Sequence, residues 1–529
     1  MKKSLRILAA SIAPLPIVAG ALLATTANAA ADPLVAVPNN VNPAVASSAK
    51  VGDLAANNKV SVAVSMKLRN EQGLQQFLSA VNDPHSAEYR HFLTPAEFTA
   101  QYGPTRSEVD AVTAYLAGKG LTVTPHQANS QVVDASGSTA QVEQAFGTTL
   151  GVYSQSGKTF YANESAPQLP ASIAGAVTGV SGLDNHATHK ALNHQVHATP
   201  AARPHAPTGL NPSKIKSGYS ISGLGTGSGK SVALWEFDGY QSSNISTYDS
   251  YYGLGSSTPT TVSVDGANYD SNPGDGQGEV ELDVELVQAV APAVTTYVYE
   301  APNSDQGQID MAAKIASDDT VSVTSISWGE CETASSSSTI TSTENALAQG
   351  TAEGISFYSA SGDSGSDDCG DGTTAVDYPA SDPNVTGVGG TSLKESSSGA
   401  WSSETAWSDG GGGKSAVFSG RTVPDVSADA NPNTGYAIYS AGSWVEYGGT
   451  SCAAPVWSGL TALFDAELGK NLGNLDATFK TIGGGSSYSS SFHDITSGSN
   501  GSFNAGTGYD DVTGWGTPKG SGLYTALGG

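Results

Sequence analysis

Between residues 207 and 529 the chain alternates short apolar runs with longer helical ones, and this constrains the fold more than any other feature. Strands are predicted over 231–235, 296–299, 321–327, 355–361 and 385–388, and helices over 279–290, 310–317, 341–353 and 453–468. Apolar strands separated by helices build a parallel sheet with crossover helices. Ligand sites in such α/β sheets lie beyond the carboxyl ends of the strands.

The preceding residues follow other patterns. Residues 1–29 have the form of an export signal: Lys2, Lys3 and Arg6 make a basic start, 7–23 is mostly apolar, and Ala27-Asn28-Ala29 is a small-residue cleavage site. No later apolar run is long enough to span a bilayer. The expected mature product is therefore soluble, secreted and extracellular. Residues 33–185 carry helical patterns over 71–81, 105–119 and 138–146, with strand-like runs over 60–66, 131–135 and 149–152. Such alternation implies a compact α+β unit. Residues 186–206 are rich in Ala, Pro and His without apolar periodicity, the pattern of a solvated linker. His186, His189, His194, His197 and His205 fall within it; the alternative is a proton-sensitive hinge, since imidazole charges as pH falls through about 6.5.

A net charge of −26 and a pI near 4.5 argue against nucleic acid as a partner, because phosphate binding needs Lys and Arg. An acid milieu would relieve the self-repulsion of these carboxylates. The 3 cysteines are too few for a disulfide scaffold. In an oxidising exterior Cys331 and Cys369 form a candidate pair, since each follows a predicted strand where parallel strands would end side by side. Cys452 is expected as a buried small residue.

The string Gly448-Gly449-Thr450-Ser451-Cys452-Ala453-Ala454-Pro455 has the look of a nucleophile turn of a subtilisin-type protease. A serine hydroxyl needs a base to take its proton, and the usual base is a histidine. Of 9 histidines, all but His493 lie at or before His205. Either another group is the base or Ser451 is no nucleophile.

The run Gly278-Glu279-Val280-Glu281-Leu282-Asp283 supplies a candidate. At about 100° per residue, Glu279 and Asp283 share a face with Leu286, Val287 and Val290, while Glu281, Glu285 and Gln288 form an opposite stripe expected to be solvated. Two carboxylates on an apolar face must be buried or face a cleft, and sharing a proton resolves their repulsion by raising one pKa. Asp363 ends a predicted strand in Ser361-Gly362-Asp363-Ser364-Gly365 and could serve an oxyanion only when protonated. Gly389-Gly390-Thr391-Ser392 repeats the Gly-Gly-Thr-Ser string, but Ser392 opens a polar loop whereas Ser451 opens an apolar helix.

Together these strings resemble the sedolisins, the serine-carboxyl peptidases, and among them the kumamolisin-like proenzymes. Tyr378-Pro379-Ala380-Ser381 and Arg421-Thr422-Val423-Pro424-Asp425-Val426 belong to the same resemblance, which covers 207–529. Upstream, Tyr89-Arg90-His91-Phe92-Leu93-Thr94, Val142-Glu143-Gln144-Ala145-Phe146 and Gly179-Val180-Ser181-Gly182-Leu183 resemble the family's activation domain. The resemblance implies a subtilisin-like α/β peptidase domain, a parallel sheet with flanking helices, preceded by an α+β ferredoxin-like prodomain that inhibits it intramolecularly. It implies Ser451 as nucleophile, Glu279 as base, Asp283 as its orienting partner and Asp363 as oxyanion donor, with Glu236 and Trp328 extending the network. It further implies one Ca²⁺ held by Asp494, Ile495, Gly506, Gly508 and Asp510, protein or peptide substrates, and a monomer. His493 is then a neighbour of the metal loop and not a base. An endopeptidase is expected; a tripeptidyl aminopeptidase of the same fold and a non-catalytic secreted binding protein stay open, the intact Ser/Glu/Asp/Asp set standing against the last.

Overall fold

The computed structural model describes residues 32–37, 41–124, 127–155, 157–186, 189–196 and 208–529. The predicted signal segment, His197 and His205 lie outside these residues.

The N-terminal unit is built on a four-stranded antiparallel sheet. Its strands β1 (Lys59–Met66), β2 (Thr122–Val123), β3 (Val132–Ser138) and β4 (Val177–Ser181) lie in the order β2-β3-β1-β4. Helix α1 (Arg106–Gly118) precedes β2 and α2 (Thr139–Phe146) follows β3. Both helices start at a capping box, Thr105 with Glu108 and Ser138 with Gln141, which satisfies the first free amides. Two helices inserted into this strand order give the expected ferredoxin-like arrangement. Period-two alternation divides β1: Val60, Val62 and Val64 pack on α1 and α2, while Ala63 faces away into the second unit.

The second unit is centred on an eight-stranded sheet. Its strands are β5 (Ser231–Glu236), β6 (Thr260–Ser263), β7 (Thr295–Glu300), β8 (Val323–Ile326), β9 (Ser356–Ala360), β10 (Val385–Glu395), β11 (Trp401–Ala406) and β12 (Val426–Asp429). They run β6-β7-β5-β8-β9-β10-β11, with β12 also paired to β10, and all pairings except β10 with β11 are parallel. Helices α3 (Gln277–Val290) and α6 (Thr450–Leu468) cover one face, where Val232 and Leu234 point. Helices α4 (Asp305–Asp318) and α5 (Ser337–Ala352) cover the other, where Ala233 and Trp235 point. The parallel sheet and flanking helices are as expected, but β6, β11 and β12 were not anticipated. Nor was the hairpin of β13 (Tyr436–Ser440) and β14 (Ser443–Gly448).

The N-terminal unit sits on α4 and α5. Asn129 Nδ2 donates to the Ala313 carbonyl at 3.0 Å, Leu93 N to the Ala352 carbonyl at 2.9 Å, and the Tyr89 hydroxyl lies 3.0 Å from Thr478 Oγ1. A disulfide joins Cys331 and Cys369, whose Cα atoms are 5.0 Å apart, beyond the carboxyl ends of β8 and β9. Cys452 is buried and free. Among the described residues no helix is long and apolar enough to cross a membrane.

Two expectations are corrected. Glu281, Glu285 and Gln288 are fully buried, not solvated. The helix that carries them is enclosed on that side too: Glu281 accepts from Asn244 Nδ2 at 2.8 Å and Gln241 N at 3.0 Å, and Glu285 from Tyr439 N at 2.8 Å. Nor is the linker solvated throughout: Lys190, His194 and Gln195 are exposed, but His189 and Leu192 are buried. His189 is stacked on Phe237 at 4.7 Å, with its backbone bonded both ways to the Asn303 side chain.

Candidate active site

The nucleophile turn is made by one glycine and one proline. Gly449 precedes α6 with φ 109°, a conformation L side chains avoid, and a Cβ there would overlap the Leu192 carbonyl oxygen, Asn193 Cα and Asp363 Oδ2. Pro455 lies inside α6. Lacking an N–H, it cannot bond the Ser451 carbonyl four residues earlier. The Ser327 hydroxyl lies 3.3 Å from that carbonyl instead. Ser451 is thereby placed in the first turn of α6, fully buried beneath the segment that covers it.

The carboxylates come from the carboxyl edge of the sheet and from α3. Glu236 ends β5, Ser327 and Trp328 follow β8, and Asp363 lies just beyond β9. Glu279 and Asp283 enter from the first two turns of α3, both buried. The Ser327 hydroxyl donates to Asp283 Oδ1 at 2.8 Å and the Trp328 indole to Glu236 Oε2 at 2.7 Å. The second oxygens, Glu236 Oε1, Asp283 Oδ2 and Glu279 Oε1, receive no N–H or O–H among the described residues. The charge of Glu236 acts on Asp283 and raises it further, a repulsion that one shared proton would relieve. The Ser451 hydroxyl donates to the Ser327 carbonyl at 3.0 Å, and the Glu279 carboxyl lies close enough to interact with the same hydroxyl.

Burial dominates the electrostatics. It raises Glu279 well above the usual carboxylate range, with the Asp283 charge adding to it; Asp283 is raised by burial and by Glu236. Glu236 is raised by burial and by Glu279. Asp363 is raised by burial against the opposing effect of the Thr450 amide and hydroxyl, each 2.8 Å from its Oδ1. Asp363 Oδ2 receives no hydrogen bond and faces His194 Nε2 at 3.5 Å. A chain of buried carboxyls with too few donors can hold and move protons, and it ends at a serine hydroxyl.

The structure thus brings Ser451, Glu279, Asp283, Asp363, Glu236 and Trp328 into one network. It leaves the other serine and histidine outside it. Ser392 accepts from Asn431 Nδ2 at 2.9 Å on β10. His493 stacks on Trp401 at 4.1 Å, and burial pushes its pKa down to about 3. Reasoning from sequence missed Ser327, Thr450 and Asn193, whose side-chain amide donates to Glu279 Oε2. Ser327 had a signal, since it ends a predicted strand where sites in such sheets gather; Asn193 had none.

The expected metal loop is a separate cluster. Gly508 N donates to Asp494 Oδ1 at 3.0 Å and Gly506 N to Asp510 Oδ2 at 2.8 Å, so the two turns are in contact. The other donors to these carboxylates, Tyr488, Val512 and Thr513, are all uncharged. Asp494 and Asp510 are hard oxygen donors of the kind Ca²⁺ takes, held in adjoining turns by backbone amides.

Comparison with known proteins agrees with this geometry. Residues 46–186 match the model "Pro-kumamolisin, activation domain", and residues 262–476 match "Subtilase family". Sedolisin of Pseudomonas sp. (strain 101) is 34% identical over 517 residues, covering 89% of this chain and 87% of that protein. Kumamolisin of Bacillus sp. (strain MN-32) is 32% identical over 521 residues, covering 90% and 93%. The solved structure of Pseudomonas sedolisin, a serine-carboxyl proteinase complexed with two molecules of pseudo-iodotyrostatin, aligns with a TM-score of 0.56 at 31% identity, covering 61% of this chain and 98% of that one. The chain is a serine-type peptidase with an activation prodomain, and it belongs to the sedolisin family.

Proposed function

We propose that this peptidase is an exported, acid-active endopeptidase that hydrolyses peptide bonds through an acyl-enzyme on Ser451. The observation that carries the reading is the carboxyl chain Glu236–Asp283–Glu279, buried throughout and ending at the Ser451 hydroxyl. Glu279 takes the Ser451 proton and returns it to the leaving amine. Asp283, held by Ser327 and backed by Glu236 and Trp328, orients Glu279 and balances its charge. The Ser451 amide and a protonated Asp363 donate to the oxyanion. Asp363 donates only while protonated, and Glu279 is ionised beside Asp283 and Glu236 only while those two stay largely protonated, so activity is lost as pH rises.

Asp494 and Asp510, with the carbonyls of Ile495, Gly506 and Gly508, would hold one Ca²⁺. That ion supplies a cross-link between C-terminal loops and no step of the reaction.

Peptides with blocked and free N-termini, incubated with the acid-matured enzyme, test the reading. Wild type is expected to cut both, with activity lost toward neutrality, and Ser451→Ala to cut neither. Cleavage confined to free N-termini would make it a tripeptidyl peptidase; turnover by Ser451→Ala would remove the assignment.

A further inference from the structure

We propose that the proenzyme cuts its own Leu192–Asn193 bond first, in cis, and that the pocket taking Leu192 selects an aliphatic side chain on the acyl side of the bond. This rests on the catalytic reading above and adds the bond and the side chain it acts on.

The linker lies across Ser451 paired on both sides of one peptide bond. Before it, Lys190 and Ala191 pair antiparallel with Gly329 and Trp328, and Leu192 N donates to the Ser327 carbonyl at 3.1 Å. After it, His194 and Gln195 pair antiparallel with Gly448 and Tyr447 of β14. Between the two ladders the Leu192 carbonyl accepts the Ser451 amide at 2.9 Å. That amide is where negative charge on an attacked carbonyl would be met. Asp363 Oδ2, buried and without a hydrogen bond, crowds the same missing Cβ of Gly449 as the Leu192 oxygen does. One strand pairing on either side of the nucleophile fixes the register, and only the Leu192 carbonyl lies on the Ser451 amide.

The neighbours of the bond fit the same role. Leu192 is buried, and a Cβ on Gly329 would stand 3.2 Å from its Cδ1, so Gly329 leaves the room that the side chain fills. On the leaving side, Asn193 donates its side-chain amide to Glu279. This ties the carboxyl that takes the serine proton to the residue whose nitrogen leaves.

In the reaction Ser451 Oγ bonds to the Leu192 carbonyl carbon while its proton passes to Glu279. The tetrahedral intermediate then expels the Asn193 nitrogen, which takes that proton and becomes a free amine. The Leu192 ester on Ser451 is hydrolysed by water, restoring the hydroxyl and leaving a Leu192 carboxylate.

Full-length wild-type and Ser451→Ala proenzymes, purified at neutral pH and shifted to about pH 4, would be followed by N-terminal sequencing and intact mass. The first new N-terminus is expected at Asn193, with a half-time unchanged over about 100-fold dilution because attack within one chain does not depend on concentration. Ser451→Ala should remain intact. Leu192→Met should be cut within about threefold of wild type and Leu192→Asp at least about tenfold more slowly, since a buried charge is poorly accepted by an apolar pocket. A first cut at any other bond, or a half-time that lengthens on dilution, overturns the proposal. If the matured enzyme then still hydrolyses a blocked peptide, the catalytic reading stands and only the bond assignment falls. Loss of both activities overturns both.

Discussion

Thr450 donates both its amide and its hydroxyl to Asp363 Oδ1, each at 2.8 Å, which leaves Oδ2 without a hydrogen bond beside Gly449, where the Leu192 carbonyl that Ser451 N–H binds also lies. A carboxyl held this way donates through Oδ2 only when protonated. Asp363→Ala is expected to lower kcat by about 10²–10³, the usual cost of one oxyanion donor. Asp363→Asn, which donates without a proton, should keep more activity and move the alkaline limb of the profile upward. Rate–pH profiles of the two variants check this; equal losses with an unmoved limb would exclude a donor role.

Removing the Ser327 hydroxyl should separate positioning from stability. Ser327→Ala deprives the buried Asp283 of a 2.8 Å donor. The expected result is a fall in kcat of about 10- to 100-fold at nearly unchanged KM, with a stability cost of about 1–3 kcal/mol. Steady-state kinetics beside thermal unfolding distinguishes this from a purely structural role, which would leave kcat alone.

Ser451 and Glu279 act as a unit and should behave non-additively. Ser451→Ala is expected to remove about 10⁶ of the rate and Glu279→Gln about 10⁴, with the double variant no worse than Ser451→Ala alone. Losses that multiply would show that Glu279 acts elsewhere.

Stability should fall as pH rises. Burial pushes Glu300 up to about 8 and Asp465 up to about 7, against about 4 in an unfolded chain. The native state therefore binds more protons between those values. Its advantage is complete below about pH 4 and is lost as pH rises through about 7 to 8. Thermal unfolding of the Ser451→Ala proenzyme, which avoids autolysis, should give a Tm several degrees higher at pH 5 than at pH 8. A flat or rising Tm would contradict the shared-proton picture.

The metal loop has its own readout. Adding Ca²⁺ to chelator-treated Ser451→Ala protein should raise its stability by about 2.7 kcal/mol at 100 times Kd. Asp494→Ala and Asp510→Asn should abolish that gain. An unchanged Tm in wild-type sequence at these positions would show that the loop holds no ion.

The elements legible in the sequence are those with strong periodicity. The helical pattern over 279–290 became Gln277–Val290 and the strand over 231–235 became Ser231–Glu236, because both are long, apolar and bounded by turn residues. The short pieces β6, β11 and β12 escaped notice. Thr260–Ser263 is an edge strand of partly exposed residues, and its pairing with β7 holds it more than any pattern of its own. The error over Glu281 and Glu285 has the same origin: a polar stripe implies water only if nothing packs on it, and here the segment 241–244 and the β13–β14 hairpin supply amides to both carboxylates.

By itself the sequence determined the chemistry available to this protein: a serine opening an apolar helix, two carboxylates on the apolar face of another, and no histidine suitably placed. It also determined the alternation that makes a parallel sheet. The tertiary structure alone decided which groups meet. Ser327, Thr450 and Asn193 enter the network because loops beyond β8 and β9, the start of α6 and the docked linker converge at one edge of the sheet. Burial there withholds water from every carboxyl at once, and protons shared between carboxyls take the place of hydration.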